Sequence, residues 1–359
     1  MPQAVRTTFQ SGQQWCVLQS QRTGIKAVAA ALLFTMTAGF SVTAAAVPSF
    51  TTGKALHRGD CIGITGTATA AEDIDIPALK QRLGKEGFSV KVMPTVTKRY
   101  GYFSGTDAER AGDLNELFAD DSVAAILCLD GGYGSARILN KLDYDMIRTH
   151  AKPFIGFSDT TALHIALEEK SKIITFHGPM ANTLSGIDKN DYTWHSFKKA
   201  LTASQPLGTL SLPEGCKLTA LIPGTATGIL AGGNLSIIAS LAGTPYALQG
   251  KGKILVLEDV NEPSYKIDRM LNQLWQSGLL QDVEAIAYGN FINCPADPGD
   301  FTTEEILAYY AALAGKPAIK GLPVGHGTEN ATLPLGTKAL LQSDKENVTL
   351  AFIEPALHT

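Results

Sequence analysis

The stretch Val123-Ala124-Ala125-Ile126-Leu127-Cys128-Leu129-Asp130-Gly131-Gly132-Tyr133-Gly134 decides the class of fold. Residues 123–129 are apolar without a break, which suits a parallel strand covered on both faces. The glycines that follow allow a tight turn whose backbone amides are bare. Strands and helices alternate on either side of this unit. Upstream, Cys61-Ile62-Gly63-Ile64-Thr65 reads as a glycine-containing strand, residues 76–86 as a helix and 89–92 as an extended segment. Thr106-Asp107-Ala108-Glu109 is a capping box that opens a helix running towards Phe118. Downstream, a further helix leads to a second short apolar run over 153–157. The alternation predicts an open, doubly wound α/β sheet.

That second run continues as Ile155-Gly156-Phe157-Ser158-Asp159-Thr160-Thr161-Ala162-Leu163-His164. A serine on a sharp strand-to-helix turn projects its hydroxyl, and the N–H groups behind it face the same point. Such geometry suits an acyl-transfer nucleophile. Ser, Asp and Thr are also good helix caps, so taken alone the turn fits a simple N-cap as well.

Residues 188–224 break the strand–helix rhythm and carry prolines and glycines. We place the domain junction there, with an N-terminal nucleophile domain over 47–190, a linker over 191–224 and a C-terminal domain over 225–359. In the second domain Gly232-Gly233-Asn234 opens an apolar helix, and residues 253–257 read as a strand. A helix over 264–278 has Ile267, Met270, Leu271 and Leu274 on one face. Strands over 285–288 and 322–325 follow.

A chain of 359 residues with 45% apolar and 18% charged residues can bury a full core without metals or disulfides. Its net charge of −4 shows no basic footprint for nucleic acid. Residues 1–46 hold Arg6, Arg22 and Lys26 and no acidic residue. An apolar stretch over 27–40 follows, then Ala44-Ala45-Ala46. A basic region, an apolar region and an Ala-x-Ala site form a secretory signal, cut after Ala46, and predict export to the periplasm. The apolar stretch is too short for a stable membrane span. Ser20-Gln21-Arg22-Thr23-Gly24 is close to a twin-arginine signal but has Gln21 at the first arginine position. Cys61, Cys128, Cys216 and Cys294 have no Cys-x-x-Cys spacing, so no zinc site is expected.

A serine nucleophile needs a base within hydrogen-bond reach and a group that orients it. His326, in Pro323-Val324-Gly325-His326-Gly327, follows an apolar run and stands between glycines. His177, in Phe176-His177-Gly178-Pro179, is the rival. Leu257-Glu258-Asp259 places two carboxylates just past a buried strand. Active sites of open α/β sheets gather at strand carboxyl ends, and Ser158, Glu258 and His326 all fall there by this reading. Gly131-Gly132-Tyr133-Gly134 can supply N–H donors for an oxyanion. Its alternative role, a dinucleotide loop, lacks the full Gly-x-Gly-x-x-Gly spacing and a ribose-binding acid.

Several motifs occur together in order: Arg58-Gly59-Asp60, Gly105-Thr106-Asp107-Ala108-Glu109-Arg110, Gly131-Gly132-Tyr133-Gly134 and Gly156-Phe157-Ser158-Asp159-Thr160. His177-Gly178-Pro179-Met180, Gly232-Gly233-Asn234-Leu235, Gly243-Thr244-Pro245-Tyr246, Leu257-Glu258-Asp259 and Gly325-His326-Gly327 continue the series. In these the chain resembles the LD-carboxypeptidase family of serine peptidases, which also includes microcin C self-immunity peptidases, over nearly all of residues 57–355. The resemblance implies a flavodoxin-like domain followed by a smaller β-rich α/β domain, usually as a homodimer. It implies a triad of Ser158, Glu258 and His326, with an oxyanion hole from the amides of Asp159 and of Gly131 or Gly132. No metal or cofactor is implied. The substrate class is the peptidoglycan tetrapeptide, from which terminal D-alanine is released.

Two positions depart from the family pattern. Asp130 stands where the family usually has arginine, which reverses the charge beside the glycine loop. The usual Pro-Ser is absent from Ile64-Thr65-Gly66-Thr67-Ala68. Other readings are an immunity-type peptidase acting on an aminoacyl-adenylate mimic, with Trp194 stacking on adenine, and a non-catalytic cell-wall-binding relative marked by Asp130.

Overall fold

The computed structural model of the protein describes residues 50–71, 74–187, 191–344 and 347–359. The signal sequence read over 1–46 lies outside the described residues. Five parallel strands organise the first half of the chain. In spatial order they are Ser89–Val92, Cys61–Thr65, Ala125–Cys128, Phe154–Gly156 and Thr175–His177. Counted along the chain this is 2-1-3-4-5, the flavodoxin-like order. A sixth strand, Leu333–Leu335, arrives from far downstream and pairs antiparallel with Thr175–His177.

The apolar run that suggested a doubly covered strand does serve both faces. Ile126 and Cys128 enter one core, whereas Ala125 and Leu127 enter the other, as the two-residue period of a strand requires. Helix ends follow local chemistry. Asp75 caps Ile76–Glu86, and Gly87 closes that helix at φ 97°. Both bonds of the Thr106–Glu109 capping box are made at the start of Asp107–Ala119. Beyond the glycine loop the expected helix is a 3-10 turn, Ser135–Lys141, entered through Gly134 at φ 139°.

The second sheet has eight strands. Its centre is parallel, formed by Gly224–Asn234, Lys253–Val260, Ala285–Ile292 and Ala318–Lys320, and antiparallel strands flank it. Two of its edge strands, Gly208–Thr209 and Thr219–Ile222, come from segment 191–224. In the same segment, helix Tyr192–Thr202 sends Trp194, Phe197, Ala200 and Leu201 into the core of the first sheet. Residues 322–325 do not form the expected strand. Pairing ends at Lys320. The flanking Gly321 and Gly325 have φ of 89° and 102°, and Val324 N–H turns back to Leu322 C=O. Leu322 and Val324 are nonetheless fully buried, which is why their apolar pattern imitates a strand.

Helix Thr161–Ala166 is buried on every side. Its Leu163 and Ala166 share one hydrophobic core with Ala231, Leu235, Leu255 and Leu257 of the second half. This shared core brings the ends of both sheets to one place. Cys61, Cys128, Cys216 and Cys294 are free thiols.

Candidate active site

Ser158 follows strand Phe154–Gly156 and begins the 3-10 turn Ser158–Thr160. Its φ of 60° is left-handed, a conformation that costs a non-glycine residue about 1–2 kcal/mol. Glycines make the turn possible by close approach. A Cβ on Gly156 would stand 2.8 Å from Thr160 Cγ2, and one on Gly131 would stand 3.2 Å from Ser158 Oγ. Among the described residues the hydroxyl caps no helix amide. It lies 3.0 Å from His326 Nε2 instead.

His326 Nδ1 is 2.8 Å from Glu258 Oε2. Glu258 is fully buried near the end of strand Lys253–Val260. A bulge in the neighbouring strand falls opposite it, between the pairs Leu257–Tyr288 and Asp259–Phe291. Gly289 occupies the space so opened, where a Cβ would stand 3.2 Å from Glu258 Cβ. Burial pushes the Glu258 carboxyl up from its ordinary pKa, and the hydrogen bond from His326 opposes that rise. Asp259 faces the other way. It accepts from Ser236 N–H at 2.9 Å, Ser236 Oγ at 2.7 Å and Asn234 Nδ2 at 3.2 Å. Serine hydroxyl, imidazole and buried carboxylate thus form one continuous hydrogen-bonded chain, with the residues drawn from three separate segments.

Comparison with known proteins shows the family of the chain. Residues 62–178 match the LD-carboxypeptidase N-terminal domain and residues 227–341 the LD-carboxypeptidase C-terminal domain. The chain belongs to the LD-carboxypeptidase family. It is 37% identical over 300 residues to a probable murein peptide carboxypeptidase of Bacillus subtilis, covering 83% of this chain and 93% of the relative. It is 30% identical over 302 residues to the microcin C7 self-immunity protein MccF of Escherichia coli, covering 75% and 85%. The crystal structure of muramoyltetrapeptide carboxypeptidase from Oxalobacter formigenes superposes with a TM-score of 0.72 at 28% identity, covering 83% of this chain and all of that one.

In this LD-carboxypeptidase family member the rival histidine sits behind the site. His177 is fully buried, its ring 6.0 Å from that of Phe157, and among the described residues neither ring nitrogen has a hydrogen-bond partner. Burial pushes it down to about 3, which keeps it neutral. Phe157 also packs against His326, with centroids 4.9 Å apart. Trp194 is buried against Phe197, with Arg82 over its ring, so it offers no face to a ligand's base.

Of the three residues expected to donate to an oxyanion, Gly131 and Asp159 have further ties. The Gly131 N–H donates to Asp130 Oδ1 at 2.8 Å. The Asp159 carboxylate is buried and accepts from Ser135 N–H at 2.7 Å. Sequence reasoning left Arg110 without a role. It is fully buried under the glycine loop, donating to Gly134 C=O at 2.9 Å, to Asp107 Oδ1 at 2.6 Å and to Thr67 C=O. Its signal was a charged residue inside a shared motif, on the apolar face of a helix.

Proposed function

We propose that the protein is a serine carboxypeptidase that releases terminal D-alanine from peptidoglycan tetrapeptides by hydrolysing the L-D amide bond. The observation that carries this reading is the Ser158–His326–Glu258 chain, with contacts of 3.0 and 2.8 Å. The names of the murein carboxypeptidase relatives support the substrate class. In the proposed cycle His326 Nε2 takes the Ser158 proton as Oγ attacks the scissile carbonyl carbon. Glu258 holds the Nδ1–H tautomer and stabilises the imidazolium. The oxyanion is received by backbone amides among Gly131, Gly132 and Asp159, each donor contributing about 2.7–4 kcal/mol. His326 then protonates the departing D-alanine amine, the C–N bond breaks, and water attacks the acyl-Ser158 ester to regenerate the hydroxyl.

We take the basic and apolar pattern of residues 1–46 as support for export, with the periplasm as the proposed compartment and a homodimer as the proposed assembly. The deciding experiment incubates protein from Val47 onward with purified muropeptide tetrapeptide, beside Ser158→Ala, and follows products by mass spectrometry. Loss of one alanine with the wild type alone is the expected result. A folded wild type that leaves the tetrapeptide intact rejects the reading.

A further inference from the structure

The loop that faces the nucleophile is fastened by a carboxylate outside the triad. Asp130 Oδ1 accepts two hydrogen bonds, from Gly131 N–H at 2.8 Å and from Asn182 Nδ2 at 2.5 Å. Asn182 is itself anchored, because its N–H donates to Leu129 C=O at 3.1 Å and its Oδ1 accepts from Thr183 N–H. On the other side of the loop, Gly131 C=O accepts from Thr69 N–H at 3.2 Å, and Thr69 Oγ1 accepts from Tyr133 N–H at 3.0 Å. Between these ties Gly131 meets the nucleophile, its missing Cβ only 3.1 Å from Ser158 Cβ.

We infer that Asp130 is a positioning residue, which consumes the Gly131 amide and thereby leaves Gly132 and Asp159 as the amides that receive the oxyanion. The inference rests on the acyl-transfer reading of Ser158. A backbone N–H already held at 2.8 Å by a carboxylate is a poor donor to a second anion, since the two negative oxygens repel at that distance. The same bond fixes the peptide that leads into Gly131, and the bond from Thr69 N–H to Gly131 C=O fixes the next peptide, which carries the Gly132 N–H. Gly132, at φ 95°, has Thr69 Oγ1 only 2.2 Å from its Cβ position, so it is packed directly against the residue that ties the far side of the loop. Asp130 therefore acts through the backbone, and what it needs is an acceptor oxygen rather than a negative charge.

The test separates acceptor from charge and loop geometry from substrate choice. Acylation of Ser158 is measured with p-nitrophenyl acetate, which needs the oxyanion site but no peptide subsite, and kcat and KM are measured with the tetrapeptide. Asp130→Ala is expected to slow ester acylation and kcat by about 10–100-fold, as a displacement near 1 Å does, while KM stays within about twofold. Asp130→Asn, which keeps an oxygen acceptor for both donors, is expected to recover rates to within about threefold of wild type. Asn182→Ala removes one of the two bonds without touching Asp130 and gives an intermediate loss, which keeps the test decisive if Asp130→Ala fails to fold. Three results overturn the inference: an alanine variant with wild-type rates, an asparagine variant as slow as alanine, or a change confined to KM. Ester acylation without tetrapeptide cleavage overturns the proposed substrate and leaves the role of Asp130 standing. A wild type acylated by neither compound overturns both.

Discussion

Gly325 lies against Glu258 so closely that a Cβ at its position would stand 2.3 Å from Glu258 Oε2, the oxygen that meets His326 Nδ1 at 2.8 Å. The residue before the candidate base is thus the floor on which the candidate orienting acid rests. Its φ of 102° is also left-handed. Gly325→Ala is expected to destabilise the fold by about 1–3 kcal/mol through backbone strain. It is also expected to cost about 10²-fold in kcat, because the carboxylate must move out of line. Thermal melting and steady-state kinetics measure the two losses. A variant with wild-type kcat would show that Glu258 need not sit where it does.

Removal of the groups in the proposed triad should follow their proposed roles. Ser158→Ala is expected to cost about 10⁶-fold in kcat. Glu258→Gln can turn an amide N–H towards His326 Nδ1, which fixes the wrong tautomer, and is expected to cost about 10⁴-fold. Ser158→Gly should be as inactive as Ser158→Ala and yet melt higher. Glycine removes a left-handed penalty of about 1–2 kcal/mol and loses only about 0.5–1 kcal/mol in chain entropy. A glycine variant that melts below the alanine variant would mean that the turn at φ 60° carries no strain.

Adjacent glycines of the loop should respond differently. Gly131 is not in the left-handed φ region, but its Cβ would crowd Ser158 Oγ at 3.2 Å. Gly131→Ala is therefore expected to lower kcat at least tenfold while moving the melting temperature by no more than a few degrees, the equivalent of about 1 kcal/mol. Gly132 has φ 95° and Thr69 Oγ1 only 2.2 Å from the Cβ position. Gly132→Ala should lose both stability and activity. Equal effects at the two positions would contradict the geometry.

What could be read from the sequence was local. The doubly covered strand, the capping box at Thr106 and the serine at a strand-to-helix turn each depend on neighbours a few residues apart. The apolar run over 322–325 misled for the same reason. Burial alone produces such a run, and only the loss of pairing after Lys320 shows that no ladder forms. His177 and His326 both follow apolar segments, and the choice between them is tertiary, set by which ring the shared core brings to Ser158. Asp130 and Arg110 stood out in the chain, one as a departure from the family pattern and the other as a charge on an apolar helix face, but neither position named its partners. Apart from Asp107, one turn from Arg110, and the Gly131 N–H next to Asp130, those partners are backbone carbonyls and one amide far away in sequence, joined only when the sheet closes.

Two buried histidines give the last prediction, on acid stability. His164 spans Thr175 Oγ1 and Gly156 C=O, both at 2.8 Å, and burial pushes it down to about 4. His177, without a partner among the described residues, is pushed down to about 3. In the unfolded chain both titrate near the ordinary value of 6.5. Above that pH neither state binds a proton, so their contribution is constant. As pH falls below about 6.5 the unfolded chain takes up protons that the folded chain refuses, and stability drops by up to about 1.4 kcal/mol per pH unit for each ring. The drop from His164 levels off near pH 4, and that from His177 near pH 3. Replacing the unpartnered ring by His177→Leu should flatten the pH dependence by one proton between pH 6 and about 4, measured by urea unfolding at half-unit intervals. At pH 7.5 the variant should be at least as stable as the wild type, because two unpaired buried nitrogens are removed. Parallel pH curves for the two proteins would place the acid sensitivity elsewhere, in the carboxylates that accept hydrogen bonds at the loop and helix ends.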